Sequence, residues 1–413
     1  MAENLSPRSK KQKRASLNDI FPTLNIGSSK EMPSPSGSAQ STSMLRMSSC
    51  LRGSFSRGWP PSVKTASVSK VASKSDGFFT LRLEEGYRIY SDRWRIDDTV
   101  DDTELDMTSE FRAAEGMMEE ISAMIASGKA SVDDMEGVIL EELTLAVFGS
   151  NKLDKVGLGL DETFNLCMKI LRGESEVEYE ERTEEYQNKI DAFALKGLKQ
   201  GEIKIARSRR EVVQHAAAFQ HMISVFVKRD QPMTESLIKE THSILVRGLS
   251  GEDAGVLSSK PYGGSYRQGN ERAFAGAFEF AKPSEIPKAM RALVENLQSD
   301  ISEINRTGYL DPWKLAAKYC DRMVNVHPFK DGNGRMCRII LNTILIKYVG
   351  FVVALGEKDQ DRDEYLFAAQ ESGRVGGFPG YLSTMVLKNA GGTLERLRTK
   401  LKRQSKGSSE DKV

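Results

Sequence analysis

His327-Pro328-Phe329-Lys330-Asp331-Gly332-Asn333-Gly334-Arg335-Met336-Cys337-Arg338 lies between two runs of helical periodicity. Before it, Trp313, Ala316, Ala317, Cys320, Val324 and His327 recur three or four residues apart, the spacing of one helix face. After it, Ile339, Ile340, Leu341, Ile344 and Leu345 make a second, apolar helix between Arg335 and Tyr348. A proline disfavours the α region for the residue before it, so the first helix stops at His327 and leaves one imidazole beside a loop. In that loop Gly332, Asn333 and Gly334 tolerate positive φ at low cost. Successive N–H groups of such a turn converge on an anion. Where the turn opens onto a helix, the unpaired N–H groups and the dipole point the same way, which makes it a candidate phosphate site.

The charges around the turn narrow the chemistry. Arg335 and Arg338 are three residues apart and share a helix face. Two arginines in a first turn oppose the dipole, so their placement makes sense when a polyphosphate supplies the negative charge. Asp331 sets one carboxylate beside the turn, and one protein carboxylate with phosphate oxygens is an ordinary Mg²⁺ arrangement. A P-loop is excluded, because no Gly-Lys-Ser/Thr follows the glycines.

Outward from this segment the pattern stays helical. Phe111, Ala114, Met118, Ile121 and Ile125 fall on one face. Further helices are expected at 133–147, 161–172, 176–195, 203–228, 234–247, 285–303, 312–327, 335–349, 361–371 and 379–402. Phe79, Leu81 and Leu83, then Tyr87 and Ile89, alternate around Glu84-Glu85-Gly86 and predict a short hairpin. The fold class is therefore mainly α. The 413 residues are 28% charged and 39% hydrophobic with a net charge of +1, enough for a large core and no support for a nucleic-acid-coating protein. The basic cluster Lys196, Lys199, Lys204, Arg207, Arg209 and Arg210 has no interleaved aromatics to stack bases and reads as a solvated helix face. His215, His221 and His242 lie in helical stretches and read as satisfied structural histidines.

Four spaced cysteines, Cys50, Cys167, Cys320 and Cys337, form neither a disulfide framework nor a zinc pattern, which suits a reducing compartment. No run of about 18 apolar residues exists, so no membrane partner is expected. Residues 1–77 are rich in Ser, Pro and basic residues and read as a disordered tail, with order beginning near Phe78. Arg8-Ser9-Lys10-Lys11-Gln12-Lys13-Arg14 reads as a solvated charge run, with nuclear import as the competing reading. The segment 32–75 has no Asp or Glu; it resembles a mitochondrial transit peptide in composition, but its internal position favours a cytoplasmic or nuclear protein.

Taken together, His-Pro-Phe-x-Asp-Gly-Asn-Gly-Arg-x-x-Arg at 327–338 resembles the signature of the Fic (filamentation induced by cAMP) family at every specified position. Gly264-Ser265-Tyr266-Arg267 resembles the glycine-x-tyrosine-arginine element ahead of the family's target-positioning flap, which would be Ala273 to Ala281. The resemblance covers roughly 234–387. It implies a Fic-type helical bundle with a small β-hairpin flap; on the periodicity above, a mostly helical region at 78–230 precedes it and a helical, charged tail at 388–413 follows. It also implies a protein adenylyltransferase that moves AMP from ATP, with Mg²⁺, to a hydroxyl of a protein target, which can be the protein itself. In that scheme His327 is the general base and Asp331 holds Mg²⁺. Gly332, Asn333 and Gly334 bind phosphate oxygens, Arg335 offsets charge on the pyrophosphate, and Arg338 meets the terminal phosphate. Phe329 anchors the loop, and Tyr365 is a candidate for the adenine pocket. Uridylyl, phosphocholine or phosphate transfer, and a non-catalytic nucleotide-binding module, stay open, as does a homodimer.

Many family members carry an inhibitory helix, Ser/Thr-x-x-x-Glu-Gly/Asn, whose glutamate pairs with the second motif arginine. Within 141–151, Thr144-Leu145-Ala146-Val147-Phe148-Gly149 resembles that pattern with Phe148 at the glutamate position. A phenyl ring cannot make the charge-assisted pair. The expectation is that this helix only packs and leaves Arg338 free, with Glu141 or Glu142 as the alternative partner.

Overall fold

The computed structural model describes residues 47–55, 58–65, 78–89, 106–173, 200–249, 262–275, 278–373 and 379–410, with side chains at 200–206 and 405–410 excepted. The basic run at 8–14, most of the acid-free segment and the expected helix at 176–195 lie outside the described residues. Eleven α-helices are present among those described. They are α1 (Met47–Ser54), α2 (Met107–Ala126), α3 (Val132–Leu153), α4 (Leu160–Arg172), α5 (Gln200–Met222), α6 (Glu235–Leu245), α7 (Ile286–Thr307), α8 (Pro312–Val326), α9 (Asn333–Val349), α10 (Asp361–Gly373) and α11 (Gly380–Glu410). A π-helical turn, Ile223–Lys228, continues α5.

The central element is α9. Ile339, Ile340, Leu341, Ile344, Leu345 and Ile346 are buried all round it, which marks a helix surrounded by others rather than an amphipathic surface one. Its main partner is α8, and α3, α5 and α6 close around the rest. The starts follow capping rules. Ser131 and Asp134 form a reciprocal capping box on α3, Thr234 caps α6, and Asp311 with Pro312 opens α8. Gly350 at φ 78° closes α9 in the left-handed conformation that only glycine adopts without penalty.

Four short strands complete the fold: β1 (Thr80–Leu81), β2 (Phe274–Ala275), β3 (Phe278–Glu279) and β4 (Tyr309–Leu310). The β2–β3 pair is antiparallel, with Phe274 opposite Glu279 and Ala275 opposite Phe278. It is the small hairpin flap expected at 273–281. The other expected hairpin, around Glu84-Glu85-Gly86, does not form. Instead β1 pairs in parallel with β4. Asp311 diverts the chain: its carboxylate accepts from the Glu84 N–H at 2.9 Å and from the Tyr87 hydroxyl at 2.8 Å, so the segment is tied to the start of α8 rather than to itself.

Two boundaries also move. Order does not begin at Phe78, because 47–55 and 58–65 are built into the core. Met47, Cys50, Leu51, Phe55 and Trp59 are all buried, and the Trp59 indole donates to the Gly350 carbonyl at 3.1 Å. Five apolar residues among many serines and arginines suffice because they meet a surface made elsewhere. The expected C-terminal tail from 388 is no separate piece either. The α11 helix runs unbroken through that position, buries Leu394, Leu397 and Leu401, and packs on α2. Among the described residues no helix is long and apolar enough to cross a membrane.

Candidate active site

The α8 helix ends at His327, which takes φ 48° and ψ 56°. Pro328 bars the α region there and the left-handed turn is the outcome, at a strain cost of about 1–2 kcal/mol for a side chain of this size. The turn aims the imidazole into a cavity of about 620 Å³ whose lining includes Asp331, Gly334, Arg335, Arg338, Phe280 and Tyr365. Nδ1 lies 3.3 Å from the Val324 carbonyl, an acceptor only, so the proton sits on Nδ1 and Nε2 presents its lone pair. Phe280, just past β3, stacks on the ring at 4.0 Å between centroids. Burial pushes the imidazole down to about 4, with the nearby Arg267 acting in the same direction. It is neutral at physiological pH.

The loop after His327 is held from below. Phe329 is fully buried and stacks on His242 at 3.6 Å. His242 itself is fully engaged: its Nδ1 accepts from the Gly264 N–H and its Nε2 donates to the Asp331 carbonyl, both at 2.9 Å. Burial pushes it to about 4. The Asn333 side chain staples the loop, accepting from the Phe329 N–H at 2.9 Å and donating to the Phe329 carbonyl at 2.7 Å. Arg267 fastens the flap to this loop, donating to the carbonyls of His327 at 2.7 Å and Ala281 at 2.8 Å. Gly332 caps α9 at φ 76° without a side-chain cap, so the first-turn N–H groups face the cavity. At Gly334 a Cβ would stand 2.9 Å from Asp154 Oδ1 and 3.0 Å from Arg338 Nη1, so a side chain there would have to displace the ends of that ion pair.

Charge is arranged in a row. Asp331 is half-exposed; its carboxylate accepts from the Gly332 N–H at 2.6 Å and lies 3.3 Å from Arg335 Nη2. Arg335 is buried; its Nη1 has no hydrogen-bond partner, and its Nε makes no hydrogen bond but lies 3.6 Å from Asp154 Oδ2 in an ion pair. Arg338 is also buried but well supplied. Its Nε donates to Ser150 Oγ at 2.7 Å, and its Nη2 to the Ser150 carbonyl at 2.9 Å and Asp154 Oδ1 at 2.8 Å. Nη1 meets the Tyr365 hydroxyl at 3.3 Å. Burial opposes the Arg338 charge, and Asp154, Tyr365 and Cys337 together outweigh it, holding the guanidinium above its ordinary value.

Arg338 is therefore not free. The partner is neither Phe148, whose ring lies by Lys152, nor Glu141 and Glu142, which pair with Lys400 and Arg396. Thr144 bonds back to the Leu140 carbonyl, and Gly149 touches the backbone at Leu355, where a Cβ would clash. The carboxylate at Arg338 is Asp154, at the C-cap of α3. Ser150 and Asp154 are four apart on one helix face; that Ser-x-x-x-acid spacing is the sequence signal that identifies them. Tyr365 lines the cavity but spends its hydroxyl on Arg338 and Cys337. Phe280 carried no signal in the sequence, since its role comes from the flap folding over His327.

The Fic/DOC family profile matches residues 232–345. The chain is 38% identical over 103 residues to a Fido domain-containing protein of Dictyostelium discoideum, a match covering 25% of this chain and 66% of that one. It is 26% identical over 170 residues to protein adenylyltransferase Fic of Nematostella vectensis, covering 40% of this chain and 36% of the relative. The matched length is thus under two thirds of either relative. A solved structure of residues 134–508 of Fic-1 from C. elegans superposes with a TM-score of 0.50 at 18% identity, over 74% of this chain and 73% of that one, a likeness of fold. Residues 232–345 of the chain are thus a domain of the Fic/DOC family.

Proposed function

We propose that the domain is a protein adenylyltransferase, transferring AMP from ATP to a Ser, Thr or Tyr hydroxyl of a protein and releasing pyrophosphate. The observation that carries this is a neutral imidazole, lone pair exposed, across a cavity from a helix N-terminus flanked by Asp331 and Arg335. The target oxygen attacks the α-phosphorus while its proton passes to His327 Nε2. The bond from that phosphorus to the bridging oxygen breaks, and the pyrophosphate leaves with the electron pair. Asn333, Gly334 and Arg335 backbone N–H groups suit the phosphate oxygens, and the Arg335 guanidinium, which lines the cavity, suits the charge that builds on the leaving group.

Among the described residues no cluster of three or more His, Cys, Asp or Glu forms a metal cage. A half-exposed single carboxylate does fit a metal that arrives with its nucleotide, so Asp331 would hold Mg²⁺, the other ligands being phosphate oxygens and water. When bound, the ion neutralises phosphate charge. Asp154 occupies the edge of Arg338 that a terminal phosphate would use, and we assign it the restraining role that Phe148 cannot perform.

Incubation with labelled ATP, GTP and UTP tests the reading. Label from ATP enters the protein itself or an added protein target, and His327→Ala lowers it by about 10²–10⁴-fold. Undiminished labelling of the His327→Ala protein refutes the base, and transfer from UTP or GTP alone refutes the nucleotide.

A further inference from the structure

The α5 helix runs behind the phosphate loop, packed against α3, α4, α6 and α9, and turns Glu211, Gln214 and His215 into the interior. Glu211 is satisfied, accepting from the Gly157 N–H at 3.1 Å and from Arg207 at 3.2 Å. His215 is not. Its Nδ1 lies 2.8 Å from Asn151 Oδ1, and a carbonyl oxygen only accepts, so Nδ1 carries the proton and Nε2 is left with a lone pair. No described group meets that lone pair. The expectation of a satisfied structural histidine fails at this one atom. The ring plane is fixed by parallel stacking on Phe219 at 5.4 Å.

Nε2 is one of several such atoms. Asn151 Nδ2, both ends of the Gln214 amide and Nη1 of Arg335 are buried and likewise without hydrogen-bond partners, while Arg335 Nε faces only the Asp154 carboxylate, at 3.6 Å. Together they include donors from α3, α5 and α9 and acceptors from α5. Leaving them all bare would cost about 1–3 kcal/mol for each group. Unpaired polar atoms in an interior are where buried water sits, each molecule taking about three hydrogen bonds. Burial, followed by the charges of Arg335 and Arg338, holds the His215 imidazole well below its ordinary value, so the acceptor form persists across the neutral range.

We propose that His215 is a positioning residue for Arg335, its Nε2 accepting from the guanidinium through ordered water enclosed by α3, α5 and α9. The contact fixes the guanidinium from the side of α5, while the group also lines the cavity. This rests on the reading of Arg335 as an anion-binding group. His215 touches no substrate and takes no proton in the reaction.

The test compares His215→Phe, which keeps the ring stack and removes the acceptor, with His215→Gln, which keeps an acceptor oxygen. In ¹⁵N-arginine-labelled protein the Arg335 Nε–H signal is identified by its loss in Arg335→Lys. That signal is expected to move and to exchange about tenfold faster in His215→Phe, while His215→Gln stays near wild type. Calorimetry with Mg·ATP is expected to show affinity lowered about tenfold by His215→Phe and within about threefold of wild type for His215→Gln. An unchanged Arg335 signal in His215→Phe, or a His215→Gln protein no better than His215→Phe, overturns the proposal. If neither variant folds, a high-resolution crystal structure of the wild type decides, and no water within hydrogen-bond distance of His215 Nε2 overturns it. Wild-type protein that binds no nucleotide refutes the transferase reading alone, since the arginine signals still report on His215.

Discussion

At Arg338 a protein carboxylate and a nucleotide phosphate would compete for the same guanidinium edge. Asp154 holds that edge at 2.8 Å, while Ser150 and Tyr365 hold the rest of the group. Asp154→Ala therefore leaves Arg338 anchored but releases its front. ATP affinity and self-labelling are expected to rise by about tenfold, the weight of one charge-assisted hydrogen bond. The melting temperature of the ligand-free protein is expected to fall, because a buried cation has lost its counter-charge. Phe148→Ala, by contrast, leaves labelling unchanged. Radiolabel incorporation and thermal melts read both effects, and equal activity of Asp154→Ala and wild type refutes the restraint. His327 gives a second expectation at this scale. With the imidazole pushed to about 4 by burial, kcat/KM stays flat from neutral pH downward and falls only as pH nears 4, where the base becomes protonated. An acid limb near 6.5, the ordinary histidine value, would contradict the burial argument. The row from His327 to Arg338 was legible in the sequence because a short loop makes spacing equivalent to geometry. Asp154 was hidden because it belongs to a helix that meets the loop only in the folded chain.

Among the elements, the amphipathic and buried helices announced themselves by period, and their ends by capping residues. The α9 helix was readable from Gly332 before it and Gly350 after it, and α8 from Pro312 and Pro328. What the sequence could not show was pairing between distant pieces. The turn at Glu84 looked like a hairpin because alternation reports a half-buried strand, not its neighbour; β1 found β4 instead. The α1 helix looked like part of a polar tail because its composition is dominated by residues facing out. Its apolar face is small but fully used: Met47, Cys50 and Leu51 are buried completely, as is Trp59 in the segment after it, and Arg52 reaches Glu136 on α3 at 2.6 Å. Trp59→Ala is expected to cost about 3–5 kcal/mol, the range for removing a buried aromatic, measured by urea unfolding. A change below about 0.5 kcal/mol, the level of an ordinary surface substitution, would mean that this segment only rests on the core.

Across the whole molecule, net charge is close to zero, so the pH dependence of stability is set by individual buried groups rather than by general repulsion. They pull in opposite directions. Burial pushes Asp311 and Asp321 up to about 6, so between about 6 and 3.8 the folded state holds more protons on them than the unfolded chain does, and acid adds stability. Burial pushes His242 and His327 down to about 4, so between about 6.5 and 4 the unfolded chain holds the extra protons, and acid removes stability. His215 adds to the losing side. Three imidazoles against two carboxyls leave a net loss on acidification, but a shallower one than the histidines alone would give. Asp311→Asn separates the two sides. Asparagine still accepts from the Lys314 N–H as the cap of α8, so the helix start survives, but the protonatable carboxyl among Glu84, Tyr87 and Lys314 is gone. Between pH 7 and pH 5 the variant is expected to lose about 1 kcal/mol more stability than wild type, the linkage for a carboxyl titrating at about 6 in the fold. Urea unfolding at both pH values measures the difference of differences, which cancels any pH-independent effect of the substitution. Parallel losses in the two proteins would show that the Asp311 carboxyl titrates in the fold as it does in the unfolded chain, and the balance of buried acids against buried bases would have to be sought elsewhere.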